Sequence, residues 1–476
     1  MTIALPSLLY ATRICCIFYV IRKELRVYLL SLASLGYVLY LDRYSCVVVF
    51  LAAVAAWILG KLIEILRRSA HIKTAITITG ISVALSASLL SVLKILPTVR
   101  HYFTAGSIMD RLIMPIGFSY YIFQIISYFI DIYKGTAAAE SDPFRLFLYL
   151  AWFPKFISGP IERTGRFHEE LERIKDVHLL DTDRWKRVIS YLVTGIFLKI
   201  VIADRLCIYV DQIFEHYDGF STIWLTLGSL FYTIQIYADF AGYSLTAIGI
   251  SLAFGIKLSD NFLMPYLSQN ITEFWRRWHI SLSNWLRDYL YIPLGGNRKG
   301  DVRKIVNTII VFVVCGLWHG AGISFLIWGL LHGIYSAIDS FFLSKGYERI
   351  RSGFIGRTLT FLAVSFAWIF FRAESLEHAR AYLYALFTTG MRWHSYYAEK
   401  EVLELSPQNT WIIILSLLFL LGMDIISYRK KQPFPELMGH AGQIPRWALI
   451  TLMVFVILVF GAYGPELNTG MIYMQF

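Results

Sequence analysis

Apolar runs of spanning or near-spanning length recur along the chain, each closed by a short charged stop. They fall at about 3–21, 28–41, 44–66 and 75–96, followed by Arg22-Lys23-Glu24, Asp42-Arg43, Arg67-Arg68 and Arg100-His101. The next run, LIMPIGFSYYIFQIISYFIDIYKG, carries Pro115 and Gly117 near its start, which loosen a helix there. Phe144 to Ile157 is short for a span and ends in Pro154, Lys155, Gly159 and Pro160, a pattern that predicts a re-entrant or interfacial element. Glu162 to Arg187 is the most polar part of the chain and mixes both charges; it predicts two surface helices and is too short to bury a core of its own. Apolar runs resume with LVTGIFLKIVIADRL and IWLTLGSLFYTIQIYADFAGYSLTAIGISLAFGI. They continue through Ile305–Leu331 and Leu359–Phe371, and end with spans near 410–427 and 446–463 beyond a charged loop at 390–409. The expectation is an all-α polytopic membrane protein with about 11 spanning helices plus re-entrant pieces.

Composition agrees and excludes a soluble class. Of 476 residues 57% are hydrophobic, 16% aromatic and 16% charged, with a mean hydropathy of +0.56. The formal charge of +11 does not point to nucleic acid, because the lysines and arginines lie mostly in short blocks between apolar runs, as in cytoplasmic loops. On that rule the loop from Arg298 to Lys304 and the polar segment from Glu162 to Arg187 face the cytoplasm. The N-terminal run lacks a basic leader region and a small-residue cleavage site, and reads as a retained segment.

The chemistry is concentrated between Asn270 and Tyr335, where three histidines, His279, His319 and His332, stand among Trp, Tyr and Arg. A membrane-interface belt accounts for Trp275, Trp278 and Trp285. It does not account for His319, which interrupts the apolar run Ile305–Leu331; an ionisable side chain there is a functional candidate by default. Asp239 is equally deep in apolar surroundings and is open to two readings, a helix-to-helix tether or cap, or a direct part in chemistry.

Other classes of site find no support. Cys15, Cys16, Cys46, Cys207 and Cys315 show neither CxxC spacing nor a Cys/His quartet, so no metal site is expected. There is no P-loop, GxSxG elbow, HExxH or dinucleotide fingerprint, and LGGNRKG lacks the spacing of a phosphate loop. It reads as a basic turn that also meets an anionic ligand, since Arg276, Arg277, Arg287, Arg298, Lys299, Arg303 and Lys304 converge on one loop system. No internal repeat is visible, which lowers the case for a secondary transporter.

Several blocks in fixed order give the chain a family likeness: PIGFSYYIFQIISYFIDIYKG, FPKFISGPIER, FLKIVIADRL, QIYADFAGYS, NITEFWRRWHISLSNWLRDYLYIPLGGNRKG, GLWHGAGISFLIWGLLHG, FAWIFFRAES and the final IYMQF. They resemble the membrane-bound O-acyltransferase family, within it the bacterial branch that O-acetylates polysaccharides, with a D-alanyl transferase branch more distant. Residues 1–105 and 376–470 carry no specific motif, so the expected organisation is one integral-membrane domain over 1–476. It has divergent N-terminal helices at 1–105, a motif-bearing core at 106–375 and C-terminal helices at 376–476.

The resemblance implies a multi-helix fold around a central funnel, in the bacterial cytoplasmic membrane, through which an acyl group from a cytoplasmic donor reaches an acceptor hydroxyl on the other side. It sets the family's essential histidine on His319 and a second on His279, with His332 in a block the branch often shows. Acyl transfer from a thioester needs a base of near-neutral pKa, a positioned hydroxyl and oxyanion donors, and histidine suits the first task. No nucleophile motif is present, so direct attack by the acceptor with His319 as base is favoured over an acyl-enzyme. His279 orients that base, binds the donor carbonyl or donates to a buried carbonyl. Trp318 is a candidate oxyanion donor, with His332, Asp239 and Asn284 as supporting candidates. Arg276, Arg277, Arg298 and Lys299 suit the phosphates of acetyl-CoA or the acidic face of an acyl carrier protein. An extracytoplasmic partner transferase is expected to present the polysaccharide hydroxyl, docking near Tyr289 and Tyr291 or the loop around Trp393 to Tyr397. The competing class is a transporter or channel without covalent chemistry.

Overall fold

The computed structural model describes residues 4–99, 113–344, 353–392 and 395–463. The IYMQF motif, the Arg100-His101 stop and Trp393 lie outside the described residues. Among the described residues every regular element is helical. In chain order the α-helices are α1 Ala4–Val20, α2 Arg26–Leu41, α3 Arg43–Arg68, α4 Ile72–Val99, α5 Phe118–Lys134, α6 Pro143–Ala151, α7 Thr164–Arg173 and α8 Thr182–Ile196. A π-helical turn, Phe197–Ala203, leads into α9 Asp204–Glu215 and is followed by α10 Thr222–Ala253, α11 Ile271–Trp275, α12 Ile280–Leu286, α13 Asp301–His319 and α14 Ile323–Ser344. The chain continues through α15 Gly353–Arg372, α16 Leu376–Thr388, α17 Tyr396–Val402, α18 Pro407–Lys430, α19 Phe434–His440 and α20 Gln443–Phe460.

Nine helices among the described residues are long and apolar enough to cross a membrane, so the expected count of about 11 is not confirmed. The span at α2 reaches that length only with the 3₁₀ turn Lys23–Leu25 ahead of it, and two other expected runs form helices just short of it. Helices α1 and α5 have 17 residues each, below the roughly 20 of a spanning helix, and α5 starts only after Gly117, whose φ of 73° is left-handed. The polar segment after Glu162 forms α7 and the start of α8, as its charge pattern predicts.

The chain divides into two compact units. One comprises residues 4–188 and 247–260. In it α6 begins as its sequence dictates, with Asp142 accepting from the backbone N–H of Phe144 and Pro143 in the first turn. The residues after α6, Trp152 to Pro160, leave the helix and are buried, over the segment whose Pro154, Gly159 and Pro160 predict a re-entrant or interfacial element. The buried ammonium of Lys155 donates to the Tyr149 carbonyl at 2.7 Å and to Gln124 Oε1 at 3.1 Å, and Trp152 Nε1 donates to Ser251 Oγ at 2.8 Å. These bonds satisfy backbone and side-chain groups that an apolar surrounding leaves without water.

The other unit comprises residues 1–3, 189–246 and 261–476 and contains the histidines. A buried ion cluster ties its first helices together: Lys199 Nζ, in the π-helical turn, lies 2.6 Å from Asp239 Oδ1 on α10 and 2.9 Å from Asp204 Oδ1 on α9. Asp239 thus holds α10 in register, and the next residue, Phe240, packs on His279 with rings perpendicular and centroids 4.7 Å apart.

Candidate active site

The site is built on the α13–α14 hairpin, whose two helices touch backbone to backbone. A Cβ on Gly316 would lie 2.3 Å from the Phe325 carbonyl oxygen, and one on Gly329 would lie 2.3 Å from the Phe312 carbonyl oxygen, so only glycine allows this approach. The tight crossing sets His319, the last residue of α13, against Trp328 of α14, with centroids 5.1 Å apart and rings perpendicular. Phe371 at the end of α15 closes another side at 5.1 Å and Trp318 a third at 4.7 Å. His319 is 3% exposed.

Gly329→Val is therefore expected to force the hairpin apart and lower stability by about 3 kcal/mol. Thermal unfolding of the detergent-solubilised protein measures it. Gly322→Ala is the matched control, because the nearest atom to an added Cβ there is 3.7 Å away. A Gly329→Val protein melting with the wild type would contradict the backbone contact.

His332 sits further along α14, fully buried, with Trp328 at 5.0 Å and Trp275 at 5.1 Å. Trp275 Nε1 donates to His332 Nδ1 at 3.2 Å. With Nδ1 accepting, a neutral imidazole carries its proton on Nε2. Trp275 is thus a hydrogen-bond donor inside the unit, in addition to what a membrane-interface belt would ask of it.

His279 is held differently. It stands just before α12 with φ of 42°, an unusual backbone for a bulky residue and one that recurs where a site is held in a fixed shape. Its Nδ1 lies 3.3 Å from Asn261 Oδ1, which also accepts from Ser281 Oγ at 2.7 Å, while Asn261 Nδ2 donates to Ser244 Oγ at 3.2 Å. The carbonyl of Asn261 receives the N–H of Ile280 at 3.0 Å, so side chain and backbone both fix the histidine. An Nδ1–H donated to Asn261 leaves the lone pair on Nε2. Burial pushes the His279 imidazole down to about 3, so the ring is neutral.

Of the residues singled out in the sequence, the structure brings Trp318 between two histidines, 4.7 Å from His319 and 6.1 Å from His279 by ring centroids. Trp328 bridges His319 and His332. Asp239 is in the ion cluster with Lys199, and Asn284 is half-buried on α12. Arg277 pairs with Glu273 at 2.7 Å, whereas Arg276, Arg298 and Lys299 are exposed. Four residues escaped the sequence reading: Asn261, Phe240, Trp328 and Phe371. Asn261 lies 18 positions before its histidine and shares no helical or strand period with it, so no local spacing exposes it. The aromatic three read as ordinary core.

With this geometry in view, comparison of the chain with known families is decisive. The profile of the family described as MBOAT, membrane-bound O-acyltransferase, matches residues 134–377, just over half of the chain and the part holding all three histidines. This chain belongs to the membrane-bound O-acyltransferase family. It is 39% identical over 331 residues to the probable alginate O-acetylase AlgI of Pseudomonas putida, covering 69% of this chain and 66% of that protein. The peptidoglycan O-acetyltransferase of Helicobacter pylori is 36% identical over 295 residues, 56% of each chain. The teichoic acid D-alanyltransferase of Bacillus subtilis is 28% identical over 285 residues, 56% of this chain and 71% of that one. The chain thus spans just under two thirds of the Pseudomonas putida protein and a little over half of the Helicobacter pylori one. Among membrane-bound O-acyltransferases these relatives transfer to three different polymers, so the family membership alone names no acceptor.

Proposed function

We propose that this chain is an O-acyltransferase of the bacterial cytoplasmic membrane that moves an acetyl or other short acyl group from a cytoplasmic thioester to a hydroxyl of an extracytoplasmic polysaccharide. The observation that carries the reading is His319, an ionisable ring buried among Trp318, Trp328 and Phe371 at the end of a spanning helix. His319 takes the proton of the acceptor hydroxyl as that oxygen bonds to the thioester carbonyl carbon. The oxyanion that forms needs donors, a role suited to the Trp318 indole N–H. Collapse breaks the carbon–sulfur bond, and the proton on His319 passes to the departing thiolate, leaving an ester and a free thiol. His279, neutral and fixed by Asn261, holds an acceptor nitrogen in the same aromatic setting and is assigned to orienting the substrates.

Acetyl-CoA or an acyl carrier protein thioester supplies the group. The acceptor class follows the relatives named for alginate and peptidoglycan, and a partner transferase presents its hydroxyl. Tyr397, exposed on α17, is the described aromatic assigned to that docking, whereas Tyr291, two residues after Tyr289, sits against Gly296 in the basic turn read as cytoplasmic.

Release of free thiol tests the reaction class. The purified chain, given acetyl-CoA and a small hydroxyl acceptor, is expected to produce thiol only when both are present. Acetyl-CoA that crosses a vesicle membrane with its thioester intact would identify a transporter, and a burst of thiol without acceptor would identify an acyl-enzyme.

A further inference from the structure

Two guanidinium groups converge on one tyrosine ring far from His319. The Cζ of Arg277, just after α11, lies 4.7 Å from the ring centroid of Tyr428 near the end of α18, and the Cζ of Arg357, early in α15, lies 5.3 Å from it. Arg357 Nη2 and Gln269 Nε2 each stand 3.5 Å from the Tyr428 hydroxyl. Placing two cations on one ring is repulsive unless negative charge offsets it.

Among the described residues, one carboxylate pairs with these two cations. Glu273 Oε1 holds Arg277 Nη2 at 2.7 Å, and its Oε2 is already taken by the backbone N–H of Gln269 at 2.8 Å. Arg357 spends its Nε on the Leu267 carbonyl at 3.1 Å and has no carboxylate partner among the described residues. Arg276, Arg429, Lys430 and Lys431 are exposed nearby in sequence, which makes the surplus positive. A planar fork placed by a carbonyl at Nε and only a long 3.5 Å bond from Nη2 to the Tyr428 hydroxyl can turn its outer N–H groups to phosphate in two-point fashion.

Position along the span adds the second argument. Arg357 and Phe371 are on the same helix, 14 residues and so about 21 Å apart, and Phe371 packs on His319. The cationic cluster therefore lies toward one end of the span and the base toward the other, a separation of the order that an extended phosphopantetheine arm bridges.

We propose that Arg277, Tyr428 and Arg357 form a seat for a phosphate group, brought either by the acyl donor or by an anionic lipid headgroup. The donor alternative rests on the acyl-transfer reading above; the seat does not. The turn bearing Arg298 and Lys299 is then dispensable for this contact.

The test uses the full chain in nanodiscs of phosphatidylcholine, as wild type, Arg357→Gln and Arg357→Lys. Arg357 is chosen because it has no carboxylate partner among the described residues, and matching melting temperatures establish that each variant is folded. Equilibrium binding is measured for coenzyme A and for pantetheine, which lacks phosphate. Coenzyme A affinity is expected to fall about tenfold or more in Arg357→Gln and less in Arg357→Lys, with pantetheine unchanged. If the phosphate comes from lipid, coenzyme A binding is instead equal in all three, and Arg357→Gln loses the wild type's retention of phosphatidylglycerol over phosphatidylcholine. An Arg357→Gln protein identical to wild type for coenzyme A and for both lipids overturns the seat, as does one that weakens pantetheine as much as coenzyme A. A wild type that binds coenzyme A through Arg357 yet never releases thiol from acetyl-CoA would defeat the acyl-transfer reading and leave the seat standing.

Discussion

Replacing His319 with glutamine or alanine is expected to lower acyl transfer by about 10²- to 10⁴-fold, the loss that follows removal of a general base. Glutamine is the cleaner variant. It retains volume among Trp318, Trp328 and Phe371, so the ring cage does not collapse into a cavity. Folding is checked by size-exclusion elution and thermal unfolding, and both are expected to match the wild type. His279→Ala is expected to impair transfer more variably. If it leaves rate and donor affinity unchanged, His279 only ties its segment to Asn261. Wild-type ester formation by a well-expressed His319→Gln protein would remove His319 from the chemistry.

The second large effect is expected far from the histidines. Lys199→Met should destabilise the protein by about 3–5 kcal/mol, because it strips two buried carboxylates, Asp239 and Asp204, of the ammonium between them. The three side chains are each under 9% exposed, so water does not replace the lost partner. Helix α10 is then free to shift, and with it Phe240 against His279 and Ser244 beneath Asn261. Activity is therefore expected to fall along with stability. Adding Asp239→Leu to Lys199→Met removes one of the stranded charges and should recover part of the melting temperature. A single Lys199→Met variant that unfolds with the wild type would show that the cluster carries little of the fold.

How far the sequence disclosed this differs from residue to residue. Helix boundaries near Arg22, Asp42 and Arg67 were legible because charge stops an apolar run in a membrane protein. His319 was legible because an imidazole inside an apolar run has no ordinary reason to be there. Asp239 was legible as important but not as to role, since its partner Lys199 lies 40 residues away across a π-helical turn that no periodicity announces. At α5 the apolar run yields a helix of only 17 residues, because Pro115 and Gly117 delay the first turn of an otherwise continuous apolar run. Asn261 was out of reach for a different reason: its hydrogen bonds form only once the chain after α10 has returned to α12. Tyr428 likewise became interesting only when Arg277 and Arg357, 80 residues apart, met on its ring.

The proposed reaction requires an acyl group to leave a thioester on one side of the membrane and become an ester on the other. The most direct measurement uses sealed vesicles carrying this chain, with acetyl-labelled coenzyme A thioester inside and oligosaccharide and partner transferase outside. The expected result is labelled sugar ester outside with an equal amount of free coenzyme A inside, both lost in His319→Gln. Label appearing outside as intact thioester or free acetate, or sugar ester formed equally by His319→Gln, would contradict it.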